Sequence, residues 1–172
     1  IQHLAWDDEI EVAGSVLASS SRLGTDVLVE IASSKGQEHL LAISGRAELP
    51  TAVTDVIVDR GGDKVIRKLA NNAGAKFSDQ GFSTIVARAG ADDELVEILG
   101  LRADFPQQFM ADLLRRAKEA VRARLLAIAP PAVQEEIKRV LNEIARETPP
   151  PGRSFGVAEE YVKLMKGLNE LD

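Results

Sequence analysis

The stretch DKVIRKLANNAGAKFSDQGFSTIVARAG, Asp63 to Gly90, decides the fold. Val65, Ile66, Leu69 and Ala70 recur at spacings of three and four, which places them on one face of a helix. Asp63 stands where a side-chain oxygen takes up free amides at a helix start. Asn72 and Gly74 end that helix, because glycine accepts the left-handed conformation of a closing turn. Ser78 then caps a second helix. Its buried face is Phe82, Ile85, Val86 and Ala89, and Gly90 stops it. The unit reads helix, turn, helix, glycine.

Working outward, the same unit recurs. Leu23, Leu49, Phe77 and Phe105 are spaced by 26, 28 and 28 residues. Ile31, Ile57, Ile85 and Leu113 follow, each eight residues after its partner, and Gly36, Gly62 and Gly90 keep the register. A fixed period in this range marks stacked supersecondary units, none of which buries its apolar face alone. The six register residues Leu49, Ile57, Phe77, Ile85, Phe105 and Leu113 should form one buried spine. The three glycines should stop second helices, at least two of them in left-handed backbone. Pro50 and Pro106 sit at the start of second helices, where a missing amide costs least.

The fourth unit departs from the pattern. The register asks for a stop near Lys118, yet that residue is not glycine. The apolar stripe runs on through Val121, Leu125 and Ile128 to Pro130 and Pro131. The expectation is a long helix closing an array of four helix pairs over 7–129. A capping helix follows at 132–147, with Val133, Ile137, Val140, Leu141 and Ile144 on one face. Three consecutive prolines and two glycines make 148–156 a linker, and 157–171 reads as a C-terminal helix. The fold class is therefore all-α: a short right-handed α-solenoid of stacked HEAT-like helix pairs with extra C-terminal helices. The chain opens on Ile1 rather than Met, and we read it as a piece of a longer protein.

Composition narrows the function. Aromatic residues make up 4% of the chain, so the core must be built of Leu, Val, Ile and Ala. The net charge of −6 argues against a broad nucleic-acid or anionic-membrane footprint. There is no cysteine, hence no disulfide and no thiol chemistry, which fits a cytoplasmic setting. No apolar run reaches the roughly 18 residues of a membrane span.

The residues that fill this pattern resemble a known family. They are Val12-Ala13 to Ala32, His39-Leu40-Leu41-Ala42-Ile43, Val53-Thr54-Asp55-Val56, Arg60-Gly61, Leu69-Ala70, Asn72, Gly74-Ala75, Phe77-Ser78 and Gly81-Phe82. The chain is similar, over about residues 7 to 128, to the uncharacterised bacterial helical-repeat proteins called domain of unknown function twenty-three thirty-six. The resemblance implies a HEAT-like array within a longer bacterial protein. It carries over no catalytic residue, cofactor or substrate.

Candidate chemistry is sparse. His3 and His39 lie far apart without further ligands at metal-site spacing. Asp7-Asp8-Glu9 and Asp92-Asp93-Glu94 lack the alternation and glycine of a calcium loop and read as charges favouring helix starts. Gly61-Gly62 matches neither dinucleotide nor phosphate-loop pattern. No nucleophile motif is present. One arrangement stands above background. Arg60, Arg88 and Arg116 each follow their register residue by three positions, so stacking should align them in a row. Such a row grips carboxylates or phosphates by forked hydrogen bonds. Serving a partner, it would stay exposed; serving the fold, it would fork onto an Asp or Glu of the next unit.

The function that follows is a non-enzymatic scaffold for protein–protein interaction. No cofactor, metal or small-molecule ligand is indicated, and the partner is an unspecified protein or peptide, with a second copy of the chain as a further candidate. The rival is a nucleic-acid-binding array that uses the arginine row.

Overall fold

The computed structural model describes residues 1–147. The linker expected at 148–156 and the helix expected at 157–171 lie outside the described residues. Within them the chain is all-helical. A short α1 (Gln2–Ala5) precedes α2 (Ile10–Ser19), α3 (Thr25–Ser34), α4 (Gln37–Ser44) and α5 (Thr51–Arg60). Then come α6 (Asp63–Asn71), α7 (Asp79–Ala89), α8 (Asp93–Leu101), α9 (Gln107–Arg116), α10 (Glu119–Ile128) and α11 (Pro131–Glu147). No described helix is long and apolar enough to cross a membrane.

From α4 onward, each helix packs on the one two places before it, while α1 packs on α2. This makes one row of α2, α4, α6, α8 and α10 and a second of α3, α5, α7, α9 and α11. The spine runs where the rows meet. Ile57, Ile85 and Leu113 are fully buried, and Leu49 and Phe105 are nearly so. Phe77 is partly buried and packs against this core. Truncating Ile57 or Ile85 to alanine would cost about 2–5 kcal/mol.

Three expectations fail, two of them for a shared reason. The long closing helix does not form. The chain breaks between α9 and α10 at Ala117 and Lys118, where the register asked for a stop. Consequently α11, expected as a cap, packs on α9 as α9 packs on α7, and with α10 it makes a fifth pair. Nor is any of Gly36, Gly62 and Gly90 left-handed; their φ values are −83°, −76° and −58°. The shared reason is the turn. Lys35-Gly36, Gly61-Gly62 and Ala117-Lys118 are each two residues of extended backbone at negative φ, which any L-residue adopts. Conformation therefore does not demand glycine at the stop; at Gly61 space does, since a Cβ there would lie 2.7 Å from the Ile57 carbonyl oxygen.

The third failure concerns Asp63. It is the first residue of α6 rather than its cap, and Gly62 holds the cap position. The preceding unit steps in: Gln37 Oε1 accepts the Gly62 amide at 2.6 Å, and Gln37 Nε2 donates to the Arg60 carbonyl at 2.9 Å. Ser78 and Asp92 do cap as expected, accepting the Gly81 and Leu95 amides. Burial pushes the Asp92 carboxyl up, but its hydrogen bond from Arg67 and those from backbone amides outweigh that and hold it below 3.8.

Inside the units, the turns between first and second helices differ from junction to junction. The turns of the second and third pairs are laced together. Leu49 N–H donates to the Gly74 carbonyl at 3.0 Å, and Lys76 N–H to the Leu49 carbonyl at 2.9 Å. Here glycine is required by space: a Cβ on Gly74 would lie 1.8 Å from the Ala47 carbonyl oxygen. Between the third and fourth pairs an aromatic cluster fills the gap. Phe82 lies 5.1 Å from Phe77, 5.7 Å from Phe105 in an edge-to-face pose, and 6.2 Å from Phe109, centroid to centroid.

Candidate interaction surface

The arginine row comes together at equivalent helix ends, but its acceptors are neither carboxylates of the next unit nor a vacant surface. Arg60, at the end of α5, donates from Nη1 to the Ala32 and Lys35 carbonyls at the end of α3. Arg88, at the end of α7, donates to the Val58 carbonyl at 2.9 Å and the Gly61 carbonyl at 2.7 Å, at the end of α5. Its approach to Asp63 is long, 3.8 Å. Arg116 lays its stem across Gly90, at the end of α7, and pairs with Asp112 of its own helix at 3.3 Å. The last carbonyls of a helix have no intrahelical partner and carry the negative end of its dipole. A guanidinium arriving from the next unit satisfies them.

A second set does the same for the other row, and sequence reasoning missed it. Arg46 donates to the Leu17 and Ser20 carbonyls at 2.7 and 2.8 Å, closing α2. Asn72 donates to the Ser44 and Arg46 carbonyls, closing α4. Arg102 donates to the Ala70, Asn72 and Ala75 carbonyls, closing α6, while gripping Asp104 and stacking on Phe77 at 4.9 Å. Back in the row of α3, α5 and α7, Arg122 donates to the Leu114 and Arg115 carbonyls of α9. A signal was present: Arg46 and Arg102 each stand three residues before the register residues Leu49 and Phe105.

The histidines and acids behave as structural groups. His39 is buried and donates from Nε2 to the Asp7 carbonyl at 2.8 Å. Asp8 pairs with Lys35, whose hydrogen bond and charge hold its carboxyl below the ordinary value. Among the described residues no group of His, Cys, Asp and Glu is placed to hold a metal ion.

What the helix ends leave open is a groove of about 780 Å³ between the first and second pairs. Its walls are the two inter-helix turns, Ser19 to Thr25 and Gly45 to Pro50, with Lys76 at the far rim. Leu23, Leu28, Leu49, Ala18 and Ala47 supply apolar lining; Ser19, Ser21 and Thr25 supply hydroxyls. No backbone hydrogen bond laces these two turns as it laces the next two. Arg46 bridges them instead, and burial lowers the pKa of its guanidinium. Its Nε is enclosed without a partner. The volume falls in the range that ligand and peptide sites occupy.

The comparisons with known proteins place the chain. It belongs to the family described as "Uncharacterised protein conserved in bacteria (DUF2336)", whose model matches residues 12–172. No curated protein and no solved structure matches it.

Proposed function

We propose that this member of the bacterial DUF2336 family is a non-enzymatic scaffold that binds a protein or peptide partner. In this reading its two rows coil as a short right-handed solenoid of HEAT-like repeats, within a larger cytoplasmic protein. The packing of each helix from α4 onward on the one two places earlier supports the stacked architecture, and such stacks present long surfaces to partners. The observation that carries the reading is the groove between the first and second pairs, with its apolar floor and polar rim. The rival reading, nucleic acid held by the arginine row, loses its motive. Arg60 and Arg88 already hold carbonyls of their own chain, and the net charge is −6.

A photo-crosslinking residue separates the two. Placed at Ser19 or Glu48 in the groove, it should give discrete protein adducts in the bacterial cell. Placed at Ser83, exposed on α7, it should not. Adducts of nucleic acid alone, or equal adducts from all three positions, would reject the scaffold.

A further inference from the structure

The charges around the groove tell what it takes. Away from the groove most cations of the described residues find carboxylates, Arg60, Lys64, Arg122 and Arg146 being the exceptions. Lys35 holds Asp8, Arg67 holds Asp92 and Glu94, and Lys118 holds Asp93. Arg124 holds Glu97, and Arg139 holds Glu136 and Glu143. At the groove none does. Arg46 and Lys76 line it, and neither makes an ion pair among the described residues. Lys68 reaches in from α6: its Nζ lies 3.1 Å from where a Cβ on Gly45 would be, and Gly45 is part of the wall. It too makes no ion pair among the described residues. Glu48 is the single carboxylate of the lining. Three cations therefore stand beside an apolar floor in a molecule whose acids outnumber its bases, 27 to 21.

From this we infer that the groove binds an acidic peptide segment of a partner protein, with an apolar side chain seated against Leu23, Leu28 and Leu49. The inference rests on the scaffold reading and names its occupant. Lys68 and Lys76 supply charge to the partner's Asp and Glu side chains, and the Ser19, Ser21 and Thr25 hydroxyls supply polar contacts between them. A short acidic segment needs complementarity at this patch only. A nucleic acid would run beyond it onto a surface of its own sign, where repulsion opposes binding.

The test uses a labelled peptide, Asp-Glu-Leu-Leu-Glu-Asp, its lysine counterpart Lys-Lys-Leu-Leu-Lys-Lys, and a single-stranded oligonucleotide of equal charge, read by fluorescence anisotropy. The acidic peptide should bind best of the three. Binding should fall about tenfold in the double variant Lys68→Glu, Lys76→Glu, and again when salt is raised to roughly 0.5 M. Arg146→Glu, on α11 at the far end, should leave binding unchanged, and the circular-dichroism spectra of both variants should match the parent. Equal binding of acidic and basic peptides, indifference to the double variant, or tighter binding of the oligonucleotide through Lys68 and Lys76 would overturn the inference. Groove-specific protein adducts persisting in that case would leave the scaffold standing with a different occupant; their loss would remove both.

Discussion

Two junctions in this molecule are built on the same register and come out opposite. Between the third and fourth pairs, Phe77, Phe82, Phe105 and Phe109 fill the space at the turns, leaving a smaller cavity of about 350 Å³ on the α6–α8 side. Between the first and second, the residue five positions after the register leucine is Leu28, where the third pair has Phe82. The turns there stand unlaced over an open groove. Four of the chain's five phenylalanines sit at the filled junction. The lesson is that a repeat can keep one backbone plan and still divide labour. Side-chain volume at matched positions decides which junction holds the array together and which is left for a partner.

The sharpest way to break this comparison is truncation. Phe82→Ala should cost about 3–5 kcal/mol in denaturant unfolding, since it removes the ring that three others pack on. Leu23→Ala, beside the groove, should cost less than Phe82→Ala. Equal costs would show that the two junctions share the load.

Next in size is Gly74→Ala, which drives a methyl into the Ala47 carbonyl. A loss of about 1–3 kcal/mol is expected, with faster hydrogen exchange at the Lys76 amide as the local readout. Gly36→Ala meets no atom within 4 Å and should stay within about 0.5 kcal/mol of the parent. The pair separates glycine as space from glycine as punctuation.

Arg102→Ala strips three carbonyls of their donor at the filled junction and should cost about 1–3 kcal/mol. Arg102→Lys should recover little of it, because one ammonium does not fork. A full rescue by lysine would mean that charge alone is at work.

A smaller effect appears with pH. Arg67 and the Leu95 amide depress the Asp92 carboxyl in the folded state. Its stabilisation is therefore present above the unfolded value of about 3.8 and is lost as pH falls through the lower native value. The stability gap between parent and Asp92→Asn should be constant at neutral pH and close below about pH 3.8. A gap unchanged at low pH would assign the effect to shape. The smallest change belongs to the groove. Lys76→Ser should leave stability within about 0.5 kcal/mol, since no ion pair is lost.

Much of this was legible in the residues. The 26- and 28-residue spacings located the spine, and the buried faces of α6 and α7 were read residue by residue. Ser78 and Asp92 were identifiable as caps because side-chain acceptors at a helix start have a fixed position. What escaped, Arg46 and Arg102 apart, had no side-chain signature. The break at Ala117-Lys118 needs only extended backbone, so no special residue announces it. The acceptors of Arg60 and Arg88 are main-chain carbonyls, which every residue carries and no pattern displays. The groove came from a contrast, Leu28 against Phe82, that gains meaning once the turns are placed side by side.

The helix-end arginines give the array a direction in time. Arg60 closes α3, Arg88 closes α5, Arg46 closes α2 and Arg102 closes α6, so the donor always arrives later in the chain than the carbonyls it satisfies. A ribosome delivers the acceptors first. Each new pair therefore emerges with bare carbonyls and waits about one repeat length for the residue that finishes it. Pairs removed from the end made last orphan carbonyls in the pair that remains. Pairs removed from the end made first release those arginines and Asn72 into water and, at the second pair alone, cut the bonds of Leu49 and Gln37 to later backbone groups. Deletion series run from the two ends should therefore be unequal, the loss per pair being steeper from the late side.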